Sequence, residues 1–398
     1  MRTDWLILFV LPIAILLFAS GALPKAKLIS VERRIMPTRT VTGDDATVIL
    51  TVKNRSAHLI DCVRLEDQLP NDLKLGGGTN HLVLSLGKFE TLQFQYRISK
   101  PRRGSYQIGP THIRTWDNQG LRVNDFEISN REDLIVIPDV EKLQVMDLRG
   151  ERFGPWPGLV PSRRLGIGTE FFEISPYVAG DDLRRINWRA SARLGMLVTN
   201  EYEGEQVIDV LVVLDCSDDA SGLFDYDAFE FQVSFAASLC SQLITQGNRV
   251  GLSVYGATRT WVSPGFGKRH LLRLLDSLAF ARAGGATLPI KYVTESVVSA
   301  TLPSRSLVIL ISRMTTDEVV DTLEAIAING YSTLCLTPSV NTDTLGVSES
   351  NAIARRILAA ERNLRIIRAG KLASVVQLSA GTALKPTRKV RRSKWNNG

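Results

Sequence analysis

The residues best able to do chemistry lie in one short run, Asp215-Cys216-Ser217-Asp218-Asp219. A carboxylate, a hydroxyl and a second carboxylate at i, i+2 and i+4 can converge on a hard cation such as Mg²⁺, which prefers oxygen ligands and keeps waters. The plainer reading of the same run is a turn in which an Asp caps the following helix. Asp215 and Asp219 could also act as paired carboxylates in a hydrolase. No histidine lies near them in sequence, however, and no nucleophile, base and orienting group can be assembled around them. His58, His81, His112 and His270 are dispersed, and Cys62, Cys216, Cys240 and Cys335 form no C-x-x-C pair. That excludes a zinc ribbon or a disulfide framework as the organising principle. Neither H-E-x-x-H nor G-x-S-x-G occurs. Gly265-Phe266-Gly267-Lys268 lacks the first glycine of a phosphate loop and reads as a turn. The expectation is a protein that is not an enzyme.

A second run has an unusual composition. Gly180-Asp181-Asp182-Leu183-Arg184-Arg185-Ile186-Asn187-Trp188-Arg189-Ala190-Ser191-Ala192-Arg193 packs two acids and four arginines around one tryptophan. Asp181 is placed to cap a short helix. Arg185, Arg189 and Arg193 at i, i+4 spacing would share a face of it, with Glu201, Glu203 and Glu205 following as partners. Two readings stand: an ion-pair network locking the segment to the next domain, or a docking surface for an acidic partner. Arginine forks bind carboxylates bidentately, which suits either one.

The elements that must position these residues follow from periodicity. From 206 to 384, buried apolar strands alternate with amphipathic helices. Val207–Asp215 is a strand that ends on the acidic run, Tyr226–Thr245 a helix and Arg249–Gly256 a strand. Thr258–Ser263 is an antiparallel strand. Helices follow at Lys268–Ala281 and Lys291–Thr301, then the strand Ser306–Ser312, the helix Asp317–Asn329 and the strand Tyr331–Thr337. Ser350–Arg368 is a last helix and Ser374–Leu378 a last strand. Such alternation predicts a doubly wound, Rossmann-type α/β domain with its site at the carboxyl ends of the strands. Residues 31–138 instead show short strands that alternate apolar and polar, as in Leu92–Ile98, punctuated by glycine turns such as Gly76-Gly77-Gly78. This predicts an Ig-like β-sandwich. Residues 139–205 read as a connector. The chain is thus expected to be α+β and multidomain.

Residues 5–24 carry no charge. At ~1.5 Å per residue they span about 30 Å, enough for a membrane helix. A cleaved signal peptide is the other reading, given Ser20-Gly21-Ala22. Arg2 precedes this segment and Lys25, Lys27, Arg33 and Arg34 follow it. That charge bias puts the bulk of the chain in the cytoplasm, behind a single-pass anchor in the cell membrane. Of the net charge of +7, six charges belong to residues 385–398. The basic balance is therefore a property of the tail, which reads either as attracted to anionic lipid or as a solvated, disordered end, and gives no reason to expect nucleic-acid binding.

Taken together, these features resemble the domain-of-unknown-function 58 proteins, a prokaryotic group with a von Willebrand factor A-like domain. The run from Tyr177 through Gly180, Asp181, Asp182, Arg184, Asn187, Trp188, Arg189 and Ser191 to Arg193 carries the resemblance, with the D-x-S start at Asp215 and Ser217 after it. The resemblance implies a membrane-anchored, chaperone-like adaptor. Its partners would be a cytoplasmic MoxR-type AAA+ ATPase and a client protein, in protein assembly, metallation or envelope maintenance. It also implies a Mg²⁺ motif of the form D-x-S-x-S, completed by a Thr and an Asp from later loops. Asp219 stands at the second Ser position, Thr287 can stand for the loop Thr, and Arg313 replaces the late Asp. That guanidinium could substitute for the metal or pair with Asp215 or Asp219. Ser175 stands where an Arg is usual, and one membrane helix is readable where many relatives have two. An exported, metal-dependent adhesion module is the alternative function, and it needs the opposite topology.

Overall fold

The structure is a computed structural model that describes residues 9–14, 28–116, 123–141, 143, 171–179, 181–202, 208–217, 226–285, 288–303, 306–338 and 349–378. The protein is α+β and divides into two compact units, Met1–Asp139 with Leu278–Phe280, and the remainder. No helix among the described residues is long and apolar enough to cross a membrane. Of the expected membrane segment at 5–24, only residues 9–14 are described, and these are helical with Phe9, Val10, Leu11 and Ile13 exposed. The tail at 385–398 lies outside the described residues.

Among its described residues the first unit holds eleven strands: β1 (Ile29–Met36), β2 (Arg39–Val41), β3 (Ala46–Asn54), β4 (Ile60–Asp67), β5 (Lys74–Gly77), β6 (His81–Leu86), β7 (Thr91–Ser99), β8 (Gly104–Ile108), β9 (Thr111–Trp116), β10 (Val123–Ile128) and β11 (Glu132–Ile137). They form two four-stranded sheets, β1-β3-β7-β5 and β10-β9-β4-β6, and a three-stranded sheet, β2-β11-β8. The side-chain period of two sends alternate residues inward. Val48, Leu50 and Val52 of β3 meet Val63 and Leu65 of β4, and Tyr96, Ile108 and Leu134, in one core. Gly76-Gly77 is not a turn: both residues lie in the edge strand β5, which bulges between Leu75 and Gly77.

That core contains an ion pair. Arg33 and Asp67 pair with both side chains fully buried. Tyr96 Oη donates to Asp67 Oδ2 at 2.5 Å and Thr111 Oγ1 donates to Asp67 Oδ1 at 3.0 Å. Arg33 also donates to Thr111 Oγ1 and to the carbonyls of Ile108 and Asn130. Arg33, one of the charges flanking the N-terminal segment, is therefore committed to the core.

The second unit opens with β12 (Phe171–Pro176) paired antiparallel to β13 (Val198–Tyr202). Between them lie a 3₁₀ turn, Leu183–Arg185, and helix α1 (Trp188–Leu194). The rest comprises β14 (Asp209–Asp215), α2 (Tyr226–Thr245), β15 (Arg249–Tyr255), β16 (Thr260–Gly265), α3 (Lys268–Ala279), α4 (Ile290–Thr301), β17 (Leu307–Ile311), α5 (Glu318–Ile328), β18 (Ser332–Pro338), α6 (Glu349–Leu372) and β19 (Ser374–Leu378). The sheet runs β16-β15-β14-β17-β18-β19, parallel except for β16. In chain order this is 3-2-1-4-5-6, which reverses direction between β14 and β17. β14, β15, β17 and β18 are almost wholly buried, as their unbroken apolar runs require.

Candidate functional site

In an open α/β sheet the ligand crevice lies outside the carboxyl ends of the strands, where the strand order reverses. Here that point is the end of β14 beside the end of β17, and it holds Asp215 and the segment Ser312-Arg313-Met314. Asp215 is 2% exposed. Its Oδ1 accepts from the Ser217 N–H at 2.9 Å and from Ser217 Oγ at 2.5 Å, and its Oδ2 accepts from Ser312 Oγ at 2.6 Å. From α2, Gln232 Nε2 donates to the carbonyls of Asp215 and Ile311 at 2.7 and 2.9 Å, tying the two strand ends together. On the β15 side, the Cys216 N–H donates to the Tyr255 carbonyl at 2.6 Å.

Arg313 follows immediately. It is buried, and its Nη2 donates to the Ser217 carbonyl at 2.5 Å. Met314 sits in the left-handed region at φ 59°, with its N–H on Ser312 Oγ at 3.0 Å. This conformation is uncommon for a residue with a side chain and persists only where its surroundings impose it. Arg362 of α6 donates from Nε to the Arg313 carbonyl at 2.9 Å, and from Nη2 to Thr337 Oγ1 at 2.8 Å. Burial pushes the Arg362 guanidinium below its usual range. Burial, helped by the Asp215 charge, pushes the Cys335 thiol up to about 12.

The structure thus brings Asp215, Ser217 and Arg313 together. Arg313 meets Ser217 through its backbone carbonyl. Asp219 and Thr287 lie outside the described residues. Among the described residues, no three His, Cys, Asp or Glu side chains converge to hold a metal. Ser312, Gln232 and Arg362 were not singled out from sequence. Each had a signal: a polar residue ending an apolar strand, a glutamine on the buried face of a helix, and an arginine in the last long helix.

The second run divides sharply into inward and outward residues. Asn187, not Asp181, caps α1: its Oδ1 accepts from the Ala190 N–H at 2.9 Å, and its Nδ2 donates to Asn200 Oδ1 at 2.8 Å. Ser191 Oγ donates to the Asn187 carbonyl and accepts from the Val198 N–H, at 2.8 and 3.0 Å. Asp181 accepts from the Val178 N–H, and Asp182 caps the 3₁₀ turn at the Arg184 N–H. Tyr177 is held by its N–H on the Leu197 carbonyl, and Gly180 lies outside the described residues. Arg185 belongs to the 3₁₀ turn and not to α1, so only Arg189 and Arg193 share a helical face. Among the described residues, Arg184, Arg189 and Arg193 make no ion pair. The expected partners Glu203 and Glu205, and the Glu201 side chain, lie outside the described set. Trp188 is 68% exposed, and Val178, Leu183 and Leu194 are exposed with it.

The family described as "Protein of unknown function DUF58" matches residues 173–334, which include both sites. "Uncharacterized protein YeaD" of Bacillus subtilis is 23% identical over 353 residues, covering 87% of this chain and 84% of that protein. "Uncharacterized protein Rv1480" of Mycobacterium tuberculosis is 31% identical over 147 residues, 34% of this chain and 44% of that protein. Among solved structures, the conserved hypothetical protein BatB of Bacteroides thetaiotaomicron matches 43% of this chain and 90% of its own at 15% identity, with a TM-score of 0.29.

Proposed function

We propose that this chain is a non-catalytic interaction protein, a membrane-anchored adaptor that works with a cytoplasmic MoxR-type AAA+ ATPase on a client protein, in assembly or envelope maintenance. The observation that carries this reading is the division of labour along Asp181–Arg193. The acids, Asn187 and Ser191 are spent on the backbone of the hairpin, while Trp188, Arg189 and Arg193 are all exposed on α1, the two arginines on one face of it. Tryptophan and arginine are the residues most enriched in interface hot spots, because they combine large apolar area with directional donors. A fold that spends its small polar groups to display these side chains suits recognition better than turnover.

The order of the second unit's sheet, with Asp215-x-Ser217 at its reversal point, supports reading that unit as von Willebrand A-like. The uncharged segment at 5–24 and the basic residues after it support a cytoplasmic bulk.

The test is binding between the purified full chain and a purified MoxR-type ATPase from the same genome. Trp188→Ala with Arg189→Glu should weaken binding by at least about tenfold, the scale of a hot-spot pair, with circular dichroism unchanged. Equal binding by wild type and variant, or none by wild type, removes the reading. A reporter fused after Gly398 should signal from the cytoplasm; a signal from outside would separate the chain from any ATP-driven partner.

A further inference from the structure

The von Willebrand A-like resemblance implies a Mg²⁺ ion held by Asp215 and Ser217 at the strand mouth. The residues around Asp215 do not fit one. Its carboxylate is buried and already accepts three hydrogen bonds, from the Ser217 N–H, Ser217 Oγ and Ser312 Oγ. Those donors engage the carboxylate without a cation. A divalent ion would have to compete with them for the carboxylate's lone pairs. It would also face a guanidinium, since Arg313 Nη2 lies 2.5 Å from the carbonyl oxygen of Ser217. Arginine keeps its charge at every accessible pH, and like charges repel strongly where water is scarce.

We propose that Arg313 is the permanent cation of this mouth and takes the place of an exchangeable metal ion. One turn builds the arrangement. Ser312 reaches Asp215, and the Met314 N–H on Ser312 Oγ fixes the left-handed turn that follows. Arg362 holds the Arg313 carbonyl from the other side. The segment that brings Ser312 to the carboxylate therefore also brings the guanidinium to Ser217. The consequence is that the fixed charge at this mouth depends neither on Mg²⁺ nor on chelators. This inference is independent of the hairpin surface.

Mn²⁺ titrated into the full-length protein, with the free-ion electron paramagnetic resonance signal as readout, tests it. The wild type should leave the signal unchanged. Arg313→Asp should bind Mn²⁺ saturably, and adding Asp215→Asn to that variant should abolish the uptake. If Arg313→Asp does not fold, Arg313→Gln, shorter but neutral and still polar, removes the charge and should show the same Asp215-dependent gain. Saturable uptake by the wild type that Asp215→Asn removes would overturn the proposal. So would a folded Arg313 variant that still binds no Mn²⁺, because Arg313 would then not be what keeps the metal out.

Discussion

Arg33 and Asp67 sit 34 residues apart in sequence and share one buried cage. Removing two charges from water is costly, and the attraction between them repays that cost only when the remaining donors and acceptors are also satisfied. Tyr96, Thr111 and two backbone carbonyls do this here. Breaking such a pair from one side leaves a buried charge without its partner. Asp67→Asn should therefore lower the stability of the first unit by ~3–5 kcal/mol, read as a lower midpoint in urea. The double variant Arg33→Met, Asp67→Leu should recover much of that loss, because it leaves no orphaned charge. If the double variant is worse than Asp67→Asn, the network contributes through shape and not through charge. Gly109 belongs to the same cage. Its φ is +99°, and a Cβ built on it would fall on the Arg33 guanidinium. Gly109→Ala should thus destabilise the same unit by displacing Arg33, with no charge changed.

At the scale of the element, the hairpin makes opposite predictions for adjacent residues. Asn187 caps α1 and bridges to β13, so Asn187→Ala should cost ~1–2 kcal/mol of stability. Trp188 is the next residue and is largely exposed, so Trp188→Ala should stay within ~0.5 kcal/mol of wild type while weakening partner binding. Thermal melts of the two variants, paired with the binding assay, separate a structural residue from a recognition residue one position away. Sequence reasoning could not make that division, because both residues stand in one dense polar run. It found the run, but assigned the cap to Asp181, when only the pairing of β12 with β13 decides which side faces inward. The α/β region was far more legible. Helix α2 at Tyr226–Thr245 and strand β19 at Ser374–Leu378 have the bounds their patterns predict, since long apolar runs and helical periods are local signals. Asp215 was visible as the residue closing such a run. Ser312 was not linked to it, because their contact spans 97 residues and depends on β17 lying beside β14. The edge strand β5 was hidden for a related reason. Three successive glycines read as a turn by local rules, and only β7 recruits two of them into a strand.

For the whole molecule, burial raises the thiols and phenols that the cores enclose. Burial pushes the Cys240 and Cys335 thiols up from 9.0 to about 12, with the Asp215 charge adding to the effect at Cys335. The Tyr96 and Tyr255 hydroxyls are also raised, first by burial and then by neighbouring carboxylates, Asp67 for Tyr96 and Glu318 and Asp215 for Tyr255. In the unfolded chain each thiol gives up its proton near 9, while the folded chain keeps it to about 12. Between those values the folded state binds more protons, so stability falls as pH rises. Below the unfolded pKa both states are protonated and the contribution is fully present. Each thiol then contributes a slope of at most about 1.4 kcal/mol per pH unit. The urea midpoint should therefore be flat from about pH 7 to pH 8.5 and decline steeply above that. Cys335→Val replaces the thiol with an apolar side chain of similar size that cannot ionise. It should shift the midpoint at neutral pH only slightly and make the alkaline decline of the second unit visibly shallower. A variant that merely loosens the core would lower the midpoint equally at every pH and leave the slope intact. An unchanged slope in Cys335→Val would mean that the thiol ionises in the folded protein as readily as in the unfolded one, and that the strand carrying it is open to water.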